Sequence, residues 1–98
     1  MVVFLGMVKR DTIQSAIIRV LSRTEGATRL DFMQEPLVRA AMERAYLRAK
    51  IMGFANPMVN PIERELYPLF YEKKVERLPM VRIGRYYYRP WRLVKDTK

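Results

Sequence analysis

The chain has no cysteine and no histidine among its 98 residues. The first absence excludes disulfides, thiolate metal sites and thiol nucleophiles together. The second removes the commonest general acid–base and the commonest transition-metal ligand. Glycine is scarce: Gly6, Gly26, Gly53 and Gly84 stand alone, so no glycine-rich phosphate loop is present. Carboxylates are outnumbered 19 to 10 by Lys and Arg, for a formal net charge of +9. None of the ten forms a pair suited to acid–base or metal chemistry. Glu63 and Glu65 are two apart on a helix and point away from each other, while Glu72 and Glu76 flank Lys73 and Lys74. The sequence therefore reads as a non-enzyme without catalytic, cofactor or metal residues. Long apolar runs are also missing: no window approaches the roughly 18 residues of a membrane span. The longest run, Met1–Val8, stops at Lys9-Arg10 and has neither the leading charge nor the small-residue cleavage site of a secretory signal.

Half the residues are apolar, too many for a disordered chain, but 98 residues bury only a modest fraction of their surface alone. The expected fold is mainly α: two to three amphipathic helices, an extended basic-aromatic C-terminal tail and little independent core. A helical region would occupy 1–76 and the tail 77–98.

Three helices are legible. Ile13, Ala16, Ile17, Val20 and Leu21 recur at helical spacing within 9–23, with Asp11 or Thr12 as N-cap and Gly26 as stop. This reads first as a core-facing helix. Its Arg and Ser content with one acid also matches a mitochondrial targeting element. Residues 24–35 read as a polar connection. Pro36 opens a second helix that runs to about Met52 and ends at Gly53. Its stripe is Leu37, Val38, Ala41, Met42, Ala45, Ala49 and Met52, and Tyr46, Leu47 and Ile51 add apolar surface outside it. A helix apolar over so much of its girth is buried on more than one side, which implies another subunit. After two Asn-Pro pairs, Asn60 caps a third helix that Pro68 interrupts, giving a kinked or two-piece helix to about Arg77.

From Arg77 to Lys98, seven basic residues face one acid, which gives the tail +6 of the chain's +9. Set among them are Tyr86, Tyr87, Tyr88 and Trp91. Met80–Arg89 is rich in Val, Ile and Tyr and favours extended backbone. The candidate partner-binding residues are Arg82, Arg85, Tyr86, Tyr87, Tyr88, Arg89, Trp91 and Arg92. Such residues bind phosphate and stack bases in RNA, meet anionic headgroups at a membrane surface, or fill a protein interface. In the blander reading Tyr86 and Tyr88 pack on the chain's own helices, while Tyr87 and the arginines face water. Met80, Val81, Ile83, Leu93 and Val94 between the charges favour protein docking. So does the excess of Arg over Lys, because Arg suits fixed bidentate contacts.

The segment Asn60-Pro61-Ile62-Glu63-Arg64-Glu65-Leu66-Tyr67-Pro68 slightly resembles a Ser-Pro-Phe-Glu-type stretch of a small cytochrome bc1 subunit. It shares chiefly Pro61, Glu63, Tyr67 and Pro68. That family continues into a transmembrane helix, which no window here is apolar enough to form, and no site residue is carried over.

The leading expectation is thus a non-catalytic accessory subunit of a multisubunit assembly. A respiratory-chain or ATP synthase complex of the mitochondrial inner membrane fits best, the chain lying on the matrix side or against the membrane. Its partners would be other protein subunits, with anionic lipid headgroups as further contacts. The alternative is a ribosomal, even mitoribosomal, protein that binds rRNA through the tail. A DNA-binding module reading with the second helix ranks last, since Arg39 and Arg44 sit among Glu43 and alanines.

Overall fold

The computed structural model describes residues 11–95, arranged as four helices followed by four short strands. The run Met1–Val8 lies outside the described residues. Helix α1 (Ile13–Arg23) starts at Thr12, whose hydroxyl accepts the Ser15 N–H at 3.0 Å. Its stripe Ala16, Ile17, Val20 and Leu21 is buried. The connection read as merely polar holds a single-turn helix, α2 (Arg29–Phe32). Thr28 and Asp31 form a reciprocal capping box there: Thr28 accepts the Leu30 N–H and Asp31 accepts the Thr28 N–H at 2.8 Å. That tight turn drives Phe32 into the centre of the protein, where it is fully buried.

Helix α3 (Pro36–Ile51) buries Val38, Ala41, Met42, Ala45 and Ala49. Gly53 follows it with φ +87°. Its N–H reaches the Lys50 carbonyl at 3.1 Å and the Phe54 N–H reaches the Ala49 carbonyl at 2.7 Å. These are the two bonds of a Schellman motif, and they fold the following loop back beside the helix. Helix α4 (Pro61–Tyr71) begins at Asn60, whose side chain accepts the Ile62 and Glu63 N–H groups. It continues as one helix past Pro68, which is solvent-exposed, so the Arg64 carbonyl that loses its partner can face water.

The expected third helix, α4, is shorter than its sequence suggests. The third helix does not continue to Arg77. It ends at Tyr71 in a second Schellman motif, with Lys73 at φ 62° and N–H bonds from Lys73 to Phe70 and from Lys74 to Leu69. The chain then reverses into strand β1 (Val75–Arg77), followed by β2 (Val81–Ile83), β3 (Tyr86–Tyr88) and β4 (Trp91–Leu93). The expected extended tail is therefore a folded β-ribbon, and the architecture mixes helix and strand instead of being mainly α.

The ribbon is one antiparallel hairpin interrupted in the middle. Its base pairs Val75 with Leu93 and Arg77 with Trp91, while its tip pairs Val81 with Tyr88 and Ile83 with Tyr86. Leu78 donates to the Pro90 carbonyl at 2.9 Å between the two ladders. Beyond that bond, Pro79 and Met80 stand opposite Arg89 alone, the two-against-one count of a β-bulge. Gly84, at φ 64°, takes the first central position of the Gly84-Arg85 turn, as a glycine-first two-residue hairpin loop requires.

The base of the ribbon is anchored twice. Trp91 exchanges backbone bonds of 2.7 and 2.8 Å with Ala27, so β4 is flanked on both edges. The indole enters a core that also holds Ile17, Val20, Phe32, Val38, Met42, Leu66 and Val75. The expectation of little independent core is thereby overturned. Six elements build this core, the four helices with β1 and β4, and all but β4 follow the preceding one within ten residues, so apolar side chains from along the described chain converge on one point.

Candidate partner-binding surface

Cross-strand partners in an antiparallel ladder project to the same side. At the ribbon tip, Val81, Ile83, Tyr86 and Tyr88 therefore share one face, and Arg82 and Tyr87 share the other. The bulge creates this sorting. Continuing the register of the base would have set Val81 against Tyr87 and Ile83 against Arg85. The extra residue instead gathers the apolar and aromatic groups on one side. All three β2 residues are exposed, as are Tyr86 and Tyr87, at 66% and 64% of their surface. The tip offers little of itself to the core.

The eight sequence candidates separate into two groups. Trp91 is only 6% exposed; its ring meets Tyr67 and Phe70 edge to face, at 5.9 and 6.1 Å between centroids. Arg77 lies 4.6 Å over the Phe70 ring, closing that aromatic cluster from outside. Arg92 pairs with Glu76 across the base ladder. These two candidates serve the fold itself. Arg82, Arg85, Tyr86, Tyr87, Tyr88 and Arg89 lie together at or beside the tip. Arg82 donates to the Gly84 carbonyl at 3.0 Å and Arg89 to the Leu78 carbonyl at 2.8 Å, bonds that fix direction without neutralising charge. Neither they nor Arg85 has a carboxylate partner among the described residues.

Two clefts border the tip. One of about 490 Å³ runs between Tyr86, Tyr87, Tyr88 and Arg89 on the ribbon and Arg29, Asn60 and Glu63 on the helical side, over buried Phe32, Leu66 and Trp91. The other, about 580 Å³, is chiefly apolar: Leu30, Leu78, Pro79, Met80, Val81 and Ile83 line it. Arg29 and Leu30 are not legible as site residues in the sequence, because a single turn of helix within an otherwise polar connection brings them here. The only available signal was the Thr28-x-x-Asp31 spacing.

At the start of α3 and beside β4, charges pair within the fold. Arg19 donates to both Glu35 oxygens, at 2.7 and 3.3 Å, and Arg23 adds a third bond at 3.3 Å. The Arg19 hydrogen bonds hold the Glu35 carboxyl below its usual range against the opposing effect of burial, and the same pairing raises Arg19. Lys95 lowers Glu25 in the same manner. Among the described residues, no three acidic side chains gather closely enough to share a metal ion, and no helix is long and apolar enough to cross a membrane. Compared with known proteins, the chain matches no family model, no curated protein and no solved structure.

Proposed function

We propose that this chain is a non-catalytic accessory subunit of a multisubunit assembly, docked onto a neighbouring protein through the tip of its β-ribbon. One observation carries the reading: Val81, Ile83 and Tyr86 are held side by side on an exposed face of a ribbon whose base is locked into the core. A folded scaffold that presents rigid aromatic and apolar side chains beside unneutralised arginines has the composition of an interface centre. The assembly class we attach to it is an inner-membrane energy-converting complex of mitochondria. Support for that class is compositional: the basic balance and the Arg- and Ser-bearing amphipathic helix α1. Because the apolar face of α1 is built into the core, a core role already accounts for its amphipathicity.

A second reading rests on the opposite face, where Arg82 stands beside Tyr87 and Arg85 follows at the turn. Arginine with a stackable ring is what single-stranded RNA needs, so a ribosomal protein is the alternative. Purifying the tagged native chain with and without ribonuclease separates the two. The accessory-subunit reading expects a fixed set of protein partners that survives ribonuclease. Recovery of the chain alone, or loss of all partners on ribonuclease treatment, contradicts it.

A further inference from the structure

Among the described residues, helix α3 ends on the largest concentration of exposed apolar side chains outside the ribbon. Leu47, Ile51, Met52, Phe54, Met58 and Val59 are 48–84% exposed. The Schellman motif after α3 places Phe54 back over Ala49 and returns the loop along the helix. As a result Met52, Phe54, Met58 and Val59 border one shallow cavity of about 190 Å³ together with Arg48. Arg48 and Val59 also border an adjoining groove of about 290 Å³, which Arg44 and Arg64 line as well, with Glu65 as its one acid. None of these three arginines has a carboxylate partner among the described residues. An apolar projection thus adjoins a cluster of unneutralised arginines, and the ribbon tip contributes nothing to either cavity.

We propose that this end of the molecule is a membrane-surface anchor, which seats Phe54, Met58 and their neighbours in the interfacial layer of an anionic bilayer while Arg44, Arg48 and Arg64 meet its headgroups. Charge complementarity selects the partner. Three free arginines beside one carboxylate attract an anionic surface, and each basic residue near such a surface adds measurably to binding. Shape agrees: Ile51, Met52 and Met58, at 76, 68 and 84% exposure, protrude instead of lining a deep slot, as lipid insertion needs and a helix-binding groove does not.

The test is co-sedimentation of the full chain with vesicles, either phosphatidylcholine alone or phosphatidylcholine with about one-third phosphatidylglycerol. The chain should bind the anionic vesicles and not the neutral ones. The double variant Phe54→Asp/Met58→Asp should weaken that binding roughly tenfold or more, since both side chains lose their apolar contact. The triple variant Arg44→Gln/Arg48→Gln/Arg64→Gln should weaken it by about a hundredfold. All five positions are exposed, and unchanged circular dichroism would confirm folding. Equal binding to neutral vesicles overturns the proposal. So does binding that survives Phe54→Asp/Met58→Asp but is lost with Arg82→Gln/Arg85→Gln/Arg89→Gln, because the ribbon would then be the contact. Absence of vesicle binding, together with loss of Phe54→Asp/Met58→Asp from its native protein complex, would assign the patch to a protein neighbour and also overturn it. The ribbon reading stands or falls separately, by its ribonuclease-resistant partners.

Discussion

Ala27 and Trp91 exchange both of their backbone hydrogen bonds, at 2.7 and 2.8 Å, across 64 residues of chain. This bridge joins the turn between α1 and α2 to the last strand and sets the indole between Tyr67 and Phe70. It ties the base of the basic C-terminal ribbon into the core. Trp91→Ala should cost about 3–5 kcal/mol, the range for emptying a large buried aromatic site. Tyr87→Ala, four residues earlier, should stay within about 0.5 kcal/mol of the parent. Urea unfolding followed by circular dichroism measures both. Equal effects would mean that the base and tip of the ribbon are not energetically distinct.

Glu35 should make stability depend on pH in a defined direction. Its carboxyl titrates below the ordinary value of 4.5 because Arg19, and secondarily Arg23, bind the charged form. A carboxyl with a depressed folded pKa stabilises the fold above the unfolded value and loses that contribution as pH falls through the folded one. Glu35→Gln should therefore lower stability at pH 7 by roughly 1 kcal/mol, a figure kept small because both arginines reach solvent. Toward pH 3 the parent and variant should converge. A constant difference across the whole acid range would show that the ion pairs do not carry the effect.

Lys73 occupies the left-handed backbone region that closes α4, at φ 62°, where the equivalent residue after α3 is Gly53 at φ 87°. A side chain in this conformation is strained, and glycine is not. Lys73→Gly is expected to raise stability by about 0.5–1 kcal/mol, read as a higher urea midpoint. Gly53→Ala should lower it by a similar amount. No atom lies within 4 Å of the added methyl, so backbone strain alone would be responsible.

How far these features were legible in the sequence depends on the range of the interactions that create them. Helix α1 and the starts of α3 and α4 follow from local signals: an apolar stripe, Pro36 at a helix start, and Asn60 before Pro61. The single turn at Arg29–Phe32 was too short for periodicity to register. The strand at Val75–Arg77 was hidden because its stability comes from Trp91–Leu93, sixteen residues away, rather than from its own Val-Glu-Arg. The same dependence decided the candidate site. Residues of one basic-aromatic run look equivalent along the chain, yet the bulge at Pro79-Met80 and the Ala27 bridge send Trp91 inward and leave Tyr86 and Tyr87 outside. Pairing partners so distant leave no periodic trace, so register could not be read.

The bulge itself can be probed by deleting Met80. Removing one residue makes the base register run directly into the tip, so Val81 still meets Tyr88 and Ile83 still meets Tyr86. The expected outcome is a folded protein that retains cross-strand NOEs between those pairs. Its tip should be re-aimed, because a bulge bends and twists its strand, and partner capture should fall. Loss of the Val81–Tyr88 NOE would contradict this, showing that the tip pairs only when the extra residue is present.

Docking through the ribbon tip can be measured as incorporation of an Ile83→Asp/Tyr86→Ala variant into the native assembly. Both residues lie on the exposed apolar face and neither belongs to the core cluster. An unchanged thermal midpoint is expected, with a loss of co-purifying partner of tenfold or more, equivalent to at least about 1.4 kcal/mol of binding. A variant that folds normally and recovers its partners in full would contradict docking through the tip.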